Sequence, residues 1–185
     1  MEIKTYQNKN YTNCIFGQKE FSGCVFVNCN FTNADFTNTI FIDCNFKNCN
    51  LSNVNVENSK FQNVDFIESK LLGLTFNKMR PFLFSFDFEE CVINECDFSS
   101  LNLSRTKFTK CKLIHNIFEN TNLACSDFPD SDLSGTTFVN SDLSKADFST
   151  ATNYSFDLRK NKVEGAKFSY SEVIGLLRYF DIEIE

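Results

Sequence analysis

Nine cysteines and one histidine are the residues in this chain best suited to chemistry. Six of the cysteines form pairs five residues apart, namely Cys24 and Cys29, Cys44 and Cys49, and Cys91 and Cys96. Thiolates grouped in this way could bind zinc or form disulfides. No nucleophile–base pair can be proposed around His115, and the sequence contains no glycine-rich phosphate loop. We therefore predict that the protein is not an enzyme and has no cofactor.

The cysteines belong to a five-residue repeat that must position them. In residues 126–143 each repeat has a small residue, a polar residue, a large apolar residue and two more polar residues. The large apolar residues, here called centres, are Phe128, Leu133, Phe138 and Leu143. This spacing makes no stripe on an α-helix, and on a flat strand it alternates between faces. A short extended piece followed by a corner fits the pattern, which predicts a solenoid around a column of stacked side chains.

The repeat has two registers, separated by a two-residue insertion within residues 77–83. The centres of the first register are Tyr11, Phe16, Phe21, Phe26, Phe31, Phe36, Phe41, Phe46, Leu51, Val56, Phe61, Phe66, Leu71 and Phe76. The second register begins at Leu83 and runs by fives to Val173, with Asn153 as its polar exception. The repeat therefore organises most of the chain.

The order of the centres predicts how many repeats close one coil. From Phe88 to Phe148 phenylalanine alternates with leucine or isoleucine, and a coil of four repeats would stack like on like. We predict an all-β, four-sided rod of about eight coils and roughly 40 Å, at the usual strand spacing. Residues 1–10 would form an N-terminal cap, residues 11–168 the rod, and residues 169–185 a C-terminal cap and dimerisation segment.

Most of the cysteines occupy the small position two residues before a centre. These are Cys14, Cys24, Cys29, Cys44, Cys49, Cys91, Cys96 and Cys111. Cysteine can serve there as a compact apolar residue, and a spacing of five would put paired cysteines on adjacent sides of the rod. We expect these thiols to be buried and free of metal, and Cys125, which lies outside the pattern, to be exposed.

The residue two positions after each centre predicts the corners. In the first register asparagine holds this position at residues 13, 28, 33, 38, 48, 53, 58 and 63, and glycine holds it at Gly23 and Gly73. Both residues tolerate the positive φ that type II turns require. The second register has few of them, so we expect two kinds of corner, with the change near residue 77.

Several repeats match a known consensus. Ala34-Asp35-Phe36 and Ala146-Asp147-Phe148 resemble the A(D/N)LXX motif of pentapeptide-repeat proteins. Residues 6–46 and 164–182 are similar to the two ends of the quinolone-resistance (Qnr-type) members. The resemblance implies a right-handed quadrilateral β-helix with a short C-terminal helix and strand. It also implies a DNA mimic that occupies the DNA-binding surface of DNA gyrase or topoisomerase IV and either modulates the enzyme or protects it from quinolones.

Two departures from the repeat interrupt the rod. At the insertion, Arg80, Phe82 and Phe84 would form either a contact patch for a partner or a bulge that covers one side of the helix. Further on, Asn153 holds a centre and Phe156 a small position. We expect Phe156 to fill the space that Asn153 leaves.

The C-terminus loses the five-residue period and suits a cap. We predict a short helix with Ser171 as its N-cap and Glu172 near its positive end, followed by an edge strand over residues 181–185. An open solenoid end needs such a cap. The apolar residues predicted to close the last coil and to contact a twofold-related copy are Leu176, Leu177, Phe180 and Ile182.

Acidic residues are concentrated in the second half of the chain. Between residues 119 and 157 these are Glu119, Asp127, Asp130, Asp132, Asp142, Asp147 and Asp157, against the single base Lys145. Asp127 and Asp147 are 20 residues apart, so they should stack on one side. These acids could simply solvate a rod, or they could imitate the phosphates of a duplex, an imitation interrupted by bases at residues 105, 107, 110 and 112. The alternative function is a protein-interaction scaffold with an unrelated partner.

Composition limits the partners and the compartment. The 185 residues carry a formal net charge of −6, so direct binding to nucleic acid is not expected. No apolar stretch suits a signal peptide or a membrane span. We predict a cytoplasmic protein.

Overall fold

The computed structural model describes residues 3–80 and 84–183. Its elements are short, as a chain that turns every five residues requires. The strands are β1 Lys4–Gln7, β2 Glu20–Ser22, β3 Cys24–Val27, β4 Ile40–Lys47, β5 Lys60–Ile67, β6 Lys70–Leu72, β7 Phe86–Glu89, β8 Val92–Asn94, β9 Phe108–Thr109, β10 Lys112–Ile114, β11 Ile117–Glu119, β12 Thr137–Val139, β13 Asp147–Phe148 and β14 Lys167–Phe168. Two 3₁₀ turns span Phe76–Lys78 and Leu158–Lys160, and the helix α1 spans Ile174–Leu177.

Each strand pairs in parallel with the strand one coil away. Phe26 lies opposite Phe46, and Phe46 lies opposite Phe66, which sets the coil at 20 residues. Across the insertion the offset becomes 22 residues, with Phe66 opposite Phe88. The predicted four-sided β-helix of about eight coils is confirmed.

The centres form the core of the rod. Phe108 and Phe128 stack with ring centroids 5.0 Å apart and planes 1° from parallel, and Phe128 stacks on Phe148 at 4.7 Å. Neighbouring columns meet edge to face, as Phe128 and Phe138 do at 90°. This alternation of stacked and perpendicular rings satisfies the quadrupoles of the aromatic faces and edges. The prediction that phenylalanine stacks on phenylalanine is confirmed.

The corners differ from the prediction. Positive φ occurs after centres in both halves of the chain, at Glu90, Arg105 and Lys110 as well as at the asparagines. Coil geometry therefore imposes this conformation, and the residue type decides only how easily it is adopted.

Two kinds of corner do exist, but neither is confined to one side of residue 77. In one kind the backbone closes the turn, with Ala34 N donating to the Phe31 carbonyl and Ala146 N to the Leu143 carbonyl. In the other kind the backbone amide of the small residue donates to a side chain one coil later, as Cys49 N does to Ser69 Oγ at 3.0 Å. The predicted change of corner near residue 77 is wrong.

The cysteines follow the prediction with one exception. Seven of the eight are buried, whereas Cys14 is exposed because it lies in the first described coil, next to the end of the rod. Cys125 is exposed, as predicted. The Cys49 thiol donates to the carbonyls of Phe26 and Lys47, each at 3.4 Å, and Ser69 one coil later makes the equivalent bonds through its hydroxyl. The buried thiols therefore act as weak donors that help to hold the corners.

The interruption near residue 153 is repaired by two aromatic residues. Phe156 is buried, as predicted, but so is Tyr154, which the sequence analysis did not place in the core. Asn153 turns outward at a corner with a φ of 59°. The Tyr154 hydroxyl accepts a hydrogen bond from the Ser169 amide at 3.1 Å, which allows a polar tip in the last tier of the core.

Candidate acidic interaction face

The seven acids predicted to form one side lie in several different ladders. Asp127 and Asp147 stack directly, as predicted, and Asp130 follows at the adjoining corner. Asp132 stacks with Lys112 on the next side, and Asp142 stacks with Asn122 on another. The prediction of a single acidic side is therefore wrong, because each repeat turns the chain onto the next side of the rod and so separates acids that are close in sequence.

The two remaining predicted acids are also away from Asp127. Glu119 belongs to the ladder of β11 and β12, where it lies opposite Val139. Asp157 is nearly buried at the base of the C-terminal cap. Its carboxylate forms two hydrogen bonds of 2.9 Å with the Arg159 guanidinium, and these lower the pKa of Asp157.

A larger acidic face is present on the side that carries Asp127. It combines three predicted acids with five that the sequence analysis missed. We define the acidic face as Asp65, Glu68, Asp87, Glu89, Glu90, Asp127, Asp130 and Asp147. The signal for the missed residues was a spacing of 22 across the insertion, which pairs Asp65 with Asp87 and residue 68 with residue 90.

The central part of this face holds like charges close together. Asp65 lies opposite Asp87 on neighbouring strands, with Glu89 on the same strand as Asp87. Burial raises the pKa of Asp65, and the charges of Asp87 and Glu89 raise it further. Grooves of about 210 and 230 Å³ lie along the strands here, and the Asp65 and Asp87 side chains line both of them. Arg105 lines the first of these grooves and Lys107 lines the second, so a basic residue of the chain already lies beside both acids.

The C-terminal part of the face is partly neutralised. Hydrogen bonding from Ser149, followed by the Lys167 ammonium 2.9 Å away, lowers the pKa of Asp147 to about 2. Lys107 lies between Asp87 and Asp127 in the ladder, and Lys110 approaches Glu90 in the central part at 3.6 Å. The pKa of Asp65 is raised whereas that of Asp147 is lowered, so repulsion between like charges is stronger at the Asp65 end of the face.

The predicted contact patch at the insertion is not an exposed aromatic surface in the part that the structure describes. Phe84 is partly buried and stacks on Phe86 with centroids 5.6 Å apart. Arg80 Nε donates to the Asn58 carbonyl at 3.0 Å. Phe82 lies outside the described residues. The bulge interpretation therefore accounts for Arg80 and Phe84, and a role in partner binding remains a prediction.

The C-terminal cap closes the rod mainly through one residue. Leu176 is fully buried among the core residues, whereas Leu177 and Phe180 are half-buried and Ile182 is 56% exposed. The Arg159 guanidinium lies 5.1 Å from the Phe180 ring and also donates to the Tyr179 carbonyl. Closure by Leu176 agrees with the prediction, but it leaves less apolar surface for a second copy.

Two details of the predicted cap are wrong. The N-cap of α1 is Val173, not Ser171, and the Ser169 hydroxyl accepts the Glu172 amide one turn earlier. The Glu172 carboxylate accepts the Asn153 amide at 2.7 Å, so it joins the cap to the preceding coil. Residues 181–183 form no strand, and residues 184–185 lie outside the described residues.

Within residues 3–80 and 84–183, no group of three or more His, Cys, Asp or Glu side chains is arranged to hold a metal ion. No helix in this part of the chain has the length and apolar character needed to cross a membrane.

Known proteins share this architecture. Residues 19–84 match the family model described as a pentapeptide repeat region, and residues 117–151 match the model of eight pentapeptide repeats. No curated protein matches the chain significantly. The solved structure of QnrB1, a plasmid-mediated fluoroquinolone resistance protein, covers 98% of this chain and 99% of its own at 19% identity, with a TM-score of 0.60.

A second solved structure is more distant. HetL, a pentapeptide-repeat protein involved in the regulation of heterocyst differentiation in the cyanobacterium Nostoc, covers 89% of this chain and 84% of its own at 15% identity, with a TM-score of 0.47. The two family models match one after the other along a rod whose coil is four five-residue repeats. This chain belongs to the pentapeptide-repeat family.

Proposed function

We propose that the rod is a non-enzymatic protein-interaction module that uses its acidic face as a partial mimic of DNA toward a type II topoisomerase such as DNA gyrase or topoisomerase IV. The observation that carries this proposal is the alignment of Asp65, Asp87, Asp127 and Asp147 in one ladder. Coils about 4.8 Å apart place Asp65 next to Asp87 and Asp127 next to Asp147, with Lys107 between the two pairs. A DNA-binding surface is basic, so it offers the complementary charge.

The match to a duplex is incomplete. One DNA strand carries a charge about every 3.4 Å, which is denser than one carboxylate per coil. Lys107 interrupts the ladder between Asp87 and Asp127, and Lys167 ends it. We therefore expect a competitor of DNA whose affinity is modest and depends on salt. The likeness to a fluoroquinolone resistance protein supports the choice of partner.

The second candidate is a scaffold for an unrelated basic protein. The same ladder favours it, because a row of carboxylates selects for positive charge before it selects for a particular fold. The two candidates differ in one measurable respect. A scaffold for another partner would leave gyrase and topoisomerase IV unaffected at any concentration of the rod.

Self-association through the C-terminal segment 169–185 is part of the same proposal. Leu176 is already buried inside the rod, so the contact would use Leu177, Phe180 and the exposed Ile182. A homodimer formed in this way would present an acidic face on each arm to an enzyme that is itself twofold. Sedimentation at micromolar concentration tests this directly, since a monomer at all concentrations would contradict it.

Supercoiling by purified gyrase, with and without the rod, tests the main proposal. We expect supercoiling and DNA binding to fall as the rod is added, and higher salt to weaken the effect. The variant Asp65→Asn/Asp87→Asn/Glu89→Gln should lose most of this activity. The matched control Glu57→Gln/Asp97→Asn/Glu119→Gln removes the same charge from another side and should retain it. Equal loss in both variants would contradict a specific role for the acidic face.

A further inference from the structure

Two bases beside the acidic face lack an acidic partner. Arg105 and Lys107 line the two central grooves, and both side chains are exposed. In the ladder, Lys107 lies one coil from Asp87 on one side and one coil from Asp127 on the other. Among the residues that the structure describes, neither Arg105 nor Lys107 forms an ion pair. Their charges are therefore available to another molecule.

A second base in the same ladder shows that such pairing is possible. The Lys167 ammonium lies 2.9 Å from the Asp147 carboxylate, and these two residues are one coil apart. Lys107 has the same relation to both Asp87 and Asp127 but pairs with neither. The Asp87 carboxylate instead accepts the backbone amide of Lys107 at 2.8 Å through Oδ1. The Lys107 ammonium is therefore left unpaired although acids lie one coil away in both directions.

The acids in the same grooves are not neutralised either. Burial raises the pKa of Asp65, and the charges of Asp87 and Glu89 raise it further, so Arg105 and Lys107 do not offset the repulsion. Within the described part of the chain, charges of both signs therefore line the same two grooves without pairing with each other. A site of this kind is complementary to a molecule that carries both signs of charge.

The spacing of these charges fits an extended protein segment. At about 4.8 Å per coil, the Lys107 position lies about 7 Å from the midpoint of the Asp65 and Asp87 positions. Residues i and i+2 of an extended segment are also about 7 Å apart and point to the same face. A basic residue followed two positions later by an acidic residue would therefore meet the two aspartates and Lys107 together. A uniformly basic surface would offer this lysine no acid.

We propose that Arg105 and Lys107 determine the specificity of the acidic face by binding an acidic residue of the protein partner, next to the basic residue that Asp65 and Asp87 bind. This inference rests on the proposed use of the acidic face to bind a basic protein, but not on a topoisomerase partner. It reverses the expected sign of one effect. If net negative charge alone attracts the partner, removing two bases should strengthen binding, whereas the loss of two contacts should weaken it.

Neutralising the two bases tests the contact on gyrase. Arg105→Gln/Lys107→Gln should weaken binding about tenfold in surface plasmon resonance, although it makes the rod more negative. The control Lys9→Gln/Lys70→Gln removes the same charge from exposed positions elsewhere on the rod and should leave the affinity within about twofold of the wild type. Circular dichroism should show both variants folded. Unchanged or stronger binding of Arg105→Gln/Lys107→Gln would overturn the inference and leave attraction by net charge standing.

Two synthetic peptides test the contact without gyrase. One repeats Lys-Ser-Glu-Ser, which places a lysine and a glutamate two residues apart, and the other repeats Lys-Ser-Lys-Ser. In NMR titrations at low salt, Arg105→Gln/Lys107→Gln should weaken binding of the mixed peptide at least about threefold and strengthen binding of the lysine peptide. A wild-type rod that does not bind the mixed peptide, or a variant that binds it equally well, would overturn the inference. Loss of mixed-peptide binding in the variant, with no effect of the wild type on gyrase, would support the inference and contradict only the topoisomerase partner.

Discussion

Asp65 and Asp147 occupy the same position of the same ladder, four coils apart, yet they experience opposite environments. Asp65 is partly buried opposite Asp87 with Glu89 close by, and its pKa is raised. Asp147 accepts hydrogen bonds from Ser149 and Lys167, and its pKa is lowered to about 2. Equivalent positions of one ladder can therefore hold an acid that destabilises the fold or one that stabilises it, depending on burial, local hydrogen bonds and the charge one coil away.

The largest effect that we predict is a loss of stability when a core ring is removed, and it should be the same in the central and the C-terminal parts of the rod. Phe88 and Phe128 are fully buried in the same column, beneath the central and the C-terminal parts of the acidic face. Phe88→Ala and Phe128→Ala should each cost about 3–5 kcal/mol, because each removes a ring from a packed stack. Urea denaturation would measure this. Costs that differed by more than about twofold would show that the core, and not only the surface, distinguishes the regions.

The next largest predicted effect is on partner affinity, which should depend more on the central part of the acidic face than on its C-terminal part. Asp65→Asn/Asp87→Asn/Glu89→Gln should weaken binding to gyrase roughly tenfold, because these like charges lie close together and a basic partner would relieve their repulsion. Asp127→Asn/Asp130→Asn/Asp147→Asn should weaken it only about threefold, because the Lys167 ammonium already neutralises Asp147. Surface plasmon resonance at two salt concentrations would compare them. A reversed order would place the main contact at the C-terminal part.

Single substitutions should change stability in opposite directions. Asp65→Asn should raise the free energy of unfolding by about 0.5 kcal/mol, since it removes a like charge facing Asp87. Lys167→Met should lower it slightly, since it leaves Asp147 without its cation. Paired urea titrations at low salt would resolve the two signs. Adding salt should shrink both changes, and changes that ignored salt would point to packing instead.

The smallest effect is a difference in pH dependence. The pKa of Asp147 is lowered, so its stabilisation is present above the unfolded value and is lost as pH falls from about 4 toward 2. The pKa of Asp65 is raised, so protonation of Asp65 adds stability as pH falls through that raised value. Between pH 5 and 2, Asp147→Asn should reduce the loss of stability by under about 1 kcal/mol, allowing for solvent screening. Asp65→Asn should make that loss steeper.

The sequence predicted features that depend on an unbroken five-residue period. The stacking of Phe128 on Phe148 follows from a period of 20, and burial of the small position follows from its place beside a centre. The acidic face was missed because its ladder crosses the insertion, where the period becomes 22. A constant five-residue spacing therefore does not show which acids share one side. Tyr154 was missed for a related reason, since the chain leaves the period and the core accepts whichever ring reaches it.

The asymmetry between the ends was only half predictable. An apolar run at residues 173–180 indicates a cap, and Leu176 fills that role. The position of Arg159, which contacts both Asp157 and the Tyr179 carbonyl, depends on the path of the chain after the last coil. Cys14 keeps the sequence pattern of a buried cysteine but is exposed near the end of the rod. A local pattern cannot report how many neighbours a coil has.

The positive φ at the corners has a consequence for how such a chain changes over generations. Asparagine adopts this conformation readily, whereas glutamate, lysine and arginine do so at a conformational cost, on the order of 1 kcal/mol at each corner. The first half mostly has asparagine there, and the second half has Glu90, Arg105, Lys110 and Lys145. Drift toward greater stability would replace such residues with asparagine or glycine. Each such corner in the second half therefore carries a surface charge at the expense of some stability.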